Sequence, residues 1–289
     1  MALITSNITI TPMTPKSLKS VLYGAIIIFS SSCNKNETIY QNCYLTEYNS
    51  PDQSYKISII YDDNNHITAY QQSFNGGGTN SYKVTSNGNG LITQIQISKV
   101  GQGFSGPTKW VYVYSNNLLS QRQYFYFQPT DTIVLIENYI HNSFNQINQI
   151  QRITGKTDSQ GQVINPSYFY SIYSYPDSVT KNATSIVDYD GDSTGYKGTP
   201  ISSLILTYDT NKNLGAFFPP LLPEMMNLNS PFSTNNIITS KSVIHTINGD
   251  EITNTVSYTY QYNSSGYPVS STYSNSGNNL KYTYTYSCK

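Results

Sequence analysis

From about residue 40 onward, apolar and polar positions alternate with a period of two, the spacing of a half-buried β-strand. The pattern is cleanest in Lys109-Trp110-Val111-Tyr112-Val113-Tyr114, Val256-Ser257-Tyr258-Thr259-Tyr260-Gln261-Tyr262 and Lys281-Tyr282-Thr283-Tyr284-Thr285-Tyr286. Each run predicts a strand with one aromatic face and one Ser/Thr/Gln face, and β-branched and aromatic side chains pack well across a pleated surface. Helical periodicity is confined to Pro220–Leu228, where Leu221-Leu222-Pro223-Glu224-Met225-Met226 could supply a turn or two around an unfavourable internal proline.

The strands are punctuated by a recurring turn. An anchor (Tyr, Thr or His) is followed by Asp, Asn or Ser, two free positions, Gly or Asn, one more residue and an apolar residue. Copies read Tyr61–Ile67, Thr85–Leu91, His141–Ile147, Thr157–Val163 and Tyr262–Pro268. A sixth, Tyr208–Leu214, has Lys212 at the fifth position, and a looser one begins at Tyr114. The template predicts a hairpin in which the short polar side chain caps the turn and the fifth residue takes φ > 0, which Gly and Asn tolerate best. Asn248-Gly249 reads as a separate, tighter hairpin. The fold class expected is therefore all-β with little helix, a large antiparallel meander of hairpins whose sheet closes as an open curved sheet, a sandwich or a barrel.

The first 32 residues read differently. Lys16 and Lys19 precede the apolar run Val21–Phe29 and then Ser30-Ser31-Ser32-Cys33. This is the order of a secretory signal, and the run is far short of the roughly 20 residues that cross a bilayer as a helix. The start could equally be Met1 or Met13. The small residues before Cys33 resemble a bacterial lipobox, with Ser30 where leucine is usual; that resemblance implies acylation of Cys33 and a protein anchored to a membrane through its acyl chains. The organisation expected is a lipoprotein signal peptide over 1–32, a polar tether over 33–39 and a single repeat domain over 40–289. Removing Cys33 for lipid leaves Cys43 and Cys288, an even pair in a compartment where disulfides persist, and hence one expected bridge.

Charged residues make up only 11% of the chain and the formal net charge is zero, so no electrostatic footprint for nucleic acid is present. The 28 tyrosines provide ample material for a core, which separates the chain from disordered polar segments. Candidate chemistry is sparse. Gly101-Gln102-Gly103-Phe104-Ser105-Gly106 matches a dinucleotide pattern without the strand-turn-helix context it requires, and reads as a hairpin loop. Asp188, Asp190 and Asp192 alternate as calcium ligands can, but the glycine and terminal glutamate of an EF-hand loop are out of place; a solvated acidic loop is the default and no metal is assigned. His66, His141 and His245 are isolated and lack zinc spacing. No catalytic residue and no cofactor is expected.

The turn template resembles the YD repeat of RHS-type proteins. With the lipobox at Cys33, the cysteine in Asn42-Cys43-Tyr44-Leu45 and the ending Tyr284-Thr285-Tyr286-Ser287-Cys288-Lys289, the chain resembles a group of Bacteroidetes lipoproteins carrying such repeats. The resemblance implies an exported β-sheet protein, lipid-anchored to the outer membrane on its periplasmic or surface face, and brings no catalytic residue with it. Three function classes follow in order: a noncatalytic binding or scaffolding protein that presents tyrosines on a sheet face to a glycan or protein partner; a hydrolase of surface polymers, which needs two carboxylates across a cleft; and an outer-membrane β-barrel, which needs an apolar outer band.

Overall fold

The computed structural model describes residues 43–51, 54–101, 108–127, 132–158, 160, 162–213, 233–246 and 248–288. Cys33, the signal and tether, the Gly101–Gly106 loop beyond its first residue, the Pro220–Leu228 segment and Leu214 lie outside them.

Sixteen strands follow one another. The first half comprises β1 (Cys43–Asn49), β2 (Tyr55–Tyr61), β3 (Ile67–Phe74), β4 (Thr79–Ser86), β5 (Ile92–Lys99), β6 (Lys109–Ser115), β7 (Leu118–Phe127) and β8 (Thr132–His141). The second comprises β9 (Ile147–Thr157), β10 (Val163–Ser174), β11 (Ser185–Gly191), β12 (Lys197–Lys212), β13 (Asn235–His245), β14 (Glu251–Tyr262), β15 (Pro268–Asn275) and β16 (Asn278–Cys288). Each pairs antiparallel with its sequence neighbours, and β16 returns to pair with β1 from Cys43↔Cys288 to Asn49↔Thr283. Of the three closures open to a hairpin meander, the chain adopts the barrel, which leaves no edge strand exposed. The expected disulfide sits at this seam, joining Cys43 and Cys288 across a sequence separation of 245.

The period-two pattern sorts the wall. Aromatic positions point inward: Ile59, Tyr70 and Tyr82 lie opposite one another on β2, β3 and β4, and Ile95, Trp110 and Tyr124 do so on β5, β6 and β7. All six are buried in one cluster with Tyr48, Ile57, Tyr112 and Tyr284. The alternate positions face solvent: Lys83 and Thr85 on β4, Thr255, Ser257, Thr259 and Gln261 on β14, and Lys281, Thr283 and Thr285 on β16 are all exposed. The tyrosine face expected to greet a partner is thus largely the inside of the barrel, because burying rings releases more apolar surface from water than burying hydroxyls does.

The turn template folds as expected at most copies. In Tyr61–Ile67 the Asp62 carboxylate accepts from the amides of Asn64 and His66, and Asn65 has φ 63°. Asn142 with Asn145 (φ 60°) and Asn263 with Gly266 (φ 77°) repeat the device. At Thr157–Val163, Asp158 caps in the same way. Two copies and the separate hairpin need correction. In Thr85–Leu91 the cap is Asn87 and the positive φ is at Gly90, one residue later than the template places them, because a full amide accepts two backbone bonds where the Ser86 hydroxyl is too short. Tyr208–Leu214 does not bend at the expected place; β12 runs on to Lys212. Asn248-Gly249 is not the tighter hairpin, since only Gly249 has φ > 0 and Thr246 takes the capping role, its hydroxyl accepting from the Asp250 amide. At Tyr114 the looser copy is a two-residue turn with Asn116 and Asn117 at φ 51° and 62°.

Strands with even numbers all run toward the rim that carries the disulfide. Near that rim, six tyrosine hydroxyls donate to backbone carbonyls of the preceding strand or its approach: Tyr61 to Leu45, Tyr114 to Ile92, Tyr175 to Ile147, Tyr208 to Ala183, Tyr260 to Ile237 and Tyr286 to Pro268, at 2.7 to 2.9 Å. Burial pushes the Tyr114 and Tyr175 phenols up to about 12, so they stay protonated donors across the physiological range. Each bond ties one hairpin to the next around the disulfide rim.

Candidate functional site

The inner wall is not uniform. Over β1–β8 it is mainly aromatic and aliphatic. Over β9–β14 an apolar cluster of Ile186, Leu206 and Ile237, with Tyr173, Leu204, Tyr208 and Tyr258 against it, occupies the part toward the disulfide rim, and the inward positions toward the other rim turn to Arg, Asp, Ser and Asn. The boundary is a ladder of charges set by strand register. Arg122 on β7 lies opposite Glu137 on β8, and Glu137 opposite Arg152 on β9. Arg152 lies opposite Phe169 on β10, which lies opposite Asp190 on β11; one step along, Ser171 faces Asp188, which faces Ser202 on β12.

Glu137 is held by Arg122 at 2.6 Å (Nη2–Oε2), by Arg152 Nε at 3.1 Å and by the Tyr139 hydroxyl, which donates at 2.6 Å. Burial alone would favour the neutral acid, but the two guanidiniums and the phenol outweigh it and hold the Glu137 carboxyl below the usual carboxylate range. The Arg122 guanidinium also lies 4.8 Å from the Tyr124 ring centre, a cation–π contact. Arg152 Nη1 is 3.7 Å from Asp188 Oδ1, and Asp188 accepts from the hydroxyls of Ser171 and Ser202. Exposure rises along the ladder: the side chains of Arg122 and Glu137 are 6% exposed, those of Arg152 and Asp188 32% and 39%. The alternation of sign neutralises four charges, so the interior tolerates them.

Past the ladder the lumen is wet. Phe169 is 38% exposed, although it faces inward like the buried rings of the other half. Asp190 and Asn254 are exposed, and Ser202 and Ser242 are half-buried. Where β10 outruns β11, Ser167, Phe169, Asp190 and Asp192 line an open recess of about 580 Å³.

The three aspartates considered for calcium do not converge. Asp188 is committed to Arg152, Ser171 and Ser202, while Asp192 caps its own turn, accepting from the amide and hydroxyl of Thr194. Among the described residues no group of three metal-ligating side chains comes together. His66 lies beside Asp62 (3.6 Å) and His245 beside Glu251 (3.4 Å), both as surface neighbours. The paired carboxylates wanted by a hydrolase are not set facing each other here: Arg152 stands between Glu137 and Asp188 and binds both. Sequence reasoning missed this ladder. Its members are single charges 15 to 36 residues apart, and only the strand register, not the pattern along the chain, aligns them.

No family model matches the chain, and no curated protein matches it. Solved structures similar in fold include two porin-like proteins. A porin-like protein from Bacteroides vulgatus ATCC 8482 superimposes with TM-score 0.52 at 12% identity, over 85% of this chain and 99% of that one. A porin-like protein from Bacteroides uniformis ATCC 8492 gives TM-score 0.47 at 13% identity, over 84% and 96%. The barrel architecture is thereby shared with a porin-like protein.

Proposed function

We propose that this chain is a noncatalytic β-barrel of the cell envelope that lives in the aqueous phase, tethered to the outer membrane through acyl chains on Cys33, and that it binds a ligand from the open half of its lumen. The observation that carries the reading is the chemistry of the outer wall. A barrel that spans a membrane presents a mainly apolar band about 25 Å tall to lipid. On β14, β16 and β4 the outward positions here are Thr, Ser, Gln and Lys, and placing a lysine at the bilayer midplane costs about 2–4 kcal/mol. The porin-like fold of the Bacteroides vulgatus protein supports an envelope setting for such a barrel, and the lipobox supports the tether.

A second reading, a barrel inserted in the outer membrane, is favoured by the shared architecture and by a sector in which Ile136, Ile153 and Tyr168 lie opposite one another on the outer face of β8, β9 and β10. The sector continues along the outer face with Val113 on β6, Phe125 on β7, Ile140 on β8, Val187 on β11 and Ile205 on β12, and it is the hydroxyl, amide and lysine positions of β4, β14 and β16 that break the belt. Cells expressing the protein and its Cys33→Ala variant separate the two readings. Release of the variant into the aqueous fraction on carbonate treatment, with wild type retained by the membrane, is the expected result. A variant that stays with the membrane and partitions into detergent would overturn the aqueous reading in favour of insertion.

A further inference from the structure

Resting on the reading of a ligand-binding lumen, we infer that the wet side of the barrel holds a saccharide site built on Phe169, with Asp190, Asp188 and Arg152 as its hydrogen-bonding groups and a neutral sugar ring as its ligand.

Most inward-facing rings over β1–β8 are packed away, Tyr48, Tyr82, Tyr112 and Tyr124 being at most 4% exposed, with Phe74 at the rim an exception at 40%. Phe169 has the same inward orientation and keeps 38% of its surface in water, at the edge of a recess. An exposed ring on a wall whose neighbours are Ser, Asp and Arg offers an apolar platform bordered by acceptors and donors. The C–H face of a pyranose fits such a platform, and its ring of hydroxyls fits the border.

The polar groups are placed for that role. Asp190 is directly opposite Phe169, and its carboxylate has no hydrogen-bond or ion-pair partner among the described residues, leaving both oxygens free to accept from vicinal hydroxyls. Arg152, on the other side of Phe169, uses Nε on Glu137 and Nη1 on Ser171 and Asp188, which fixes the guanidinium plane and leaves Nη2 with no hydrogen-bond partner among the described residues. A ligand donor or acceptor then meets a side chain already held in place, which lowers the cost of ordering the site. The backbone leaves room for these groups. A Cβ at Gly198 would lie 2.3 Å from Asp190 Oδ1, so a side chain there would force the carboxylate to move.

Charge selects among ligands. The ladder cancels its own charges, so an anionic sugar acid would meet the unpaired carboxylate of Asp190 and the nearby Asp192, while Lys197, opposite Gly191, lies over the Tyr170 ring. A neutral saccharide makes no such demand. An organic cation could also stack on Phe169 beside Asp190, and it is the competitor the experiment must separate.

The test is calorimetric titration of the purified full chain with glucose, galactose and N-acetylglucosamine and with their linear tetramers, alongside benzyltrimethylammonium. The expected result is a saturable isotherm for at least one neutral saccharide. Affinity should fall about tenfold or more in Phe169→Ala, the loss of one stacked ring, and also in Asp190→Asn, a solvent-facing change that leaves the wall intact. Tyr196→Ala, at an exposed ring in the β11–β12 turn outside the recess, should bind as wild type. The inference is overturned if none of the saccharides binds, if binding survives Phe169→Ala and Asp190→Asn, or if only the ammonium probe binds. Each of these outcomes leaves the aqueous reading standing, because that reading is decided by the behaviour of Cys33→Ala on carbonate extraction.

Discussion

Glu137 is the side chain on which the interior depends most. It joins two arginines and a tyrosine in a space with almost no water, so its removal strands the Arg122 guanidinium. Breaking a buried ion pair from one side typically costs about 3–5 kcal/mol. Glu137→Ala is expected to lower the urea midpoint by a corresponding amount, while Glu47→Ala, which loses only a surface contact with Lys56, should shift it by less than about 1 kcal/mol. Glu137 also gives stability a pH dependence of definite sign. Its folded pKa lies below its ordinary value of 4.5, so its contribution is fully present above that value and is lost as pH falls through the lower, folded one. Urea midpoints compared between pH 7 and pH 3 should fall less in Glu137→Gln than in wild type. At the opposite extreme of exposure, Gly266 holds a φ of 77° with open space around it, so Gly266→Val should destabilise by about 1–2 kcal/mol through backbone strain alone, again read by urea titration. Individual residues of this second kind were legible from the sequence, because a turn glycine acts locally. Glu137 was not, because its partners are reached only through pairing between strands.

At the scale of elements, the hairpin is the repeating part and the seam is the exception. Fifteen of the sixteen strand pairings join neighbours in sequence; β1 with β16 does not. The disulfide secures that long-range pair. In the chain-entropy picture a cross-link closing a loop of this length contributes on the order of 5 kcal/mol, and for a domain of this size each kcal/mol moves the midpoint by about 2–4 °C. Reduction, or Cys43→Ala with Cys288→Ala, is expected to lower the melting temperature by roughly 10 °C, measured by calorimetry; an unchanged value would mean that β1 and β16 hold each other without help. The cysteine count alone pointed to this bridge. The turns were mostly legible as well, and the copies that slipped did so for one reason: the template allowed any short polar cap, whereas the backbone geometry prefers the acceptor that spans two amides, as Asn87 does and Ser86 cannot. The tyrosine at the end of an even strand looked like an anchor of the turn, and the structure gives it a second duty as a donor to the strand before it.

For the molecule as a whole, period two established that one face would be aromatic and the other hydroxylic, but not which would be inside. That choice depends on closure, and closure depends on the β1–β16 contact that no local pattern encodes. Once the ring forms, burying the aromatic face follows, and the same decision leaves hydroxyl, amide and lysine side chains on the outer wall of β4, β14 and β16. Whole-molecule behaviour then provides the most direct check of the envelope assignment: acyl chains, not strands, should hold the protein at the membrane, so extraction should change with Cys33 and hardly with substitutions such as Thr259→Ala on the wall. The seam carries one more implication. With its first and last strands stitched side by side and β13 turning directly into β14, a gene reopened at the Asn248-Gly249 corner with residues 43 and 288 joined by a short bridge would still describe the same closed circuit.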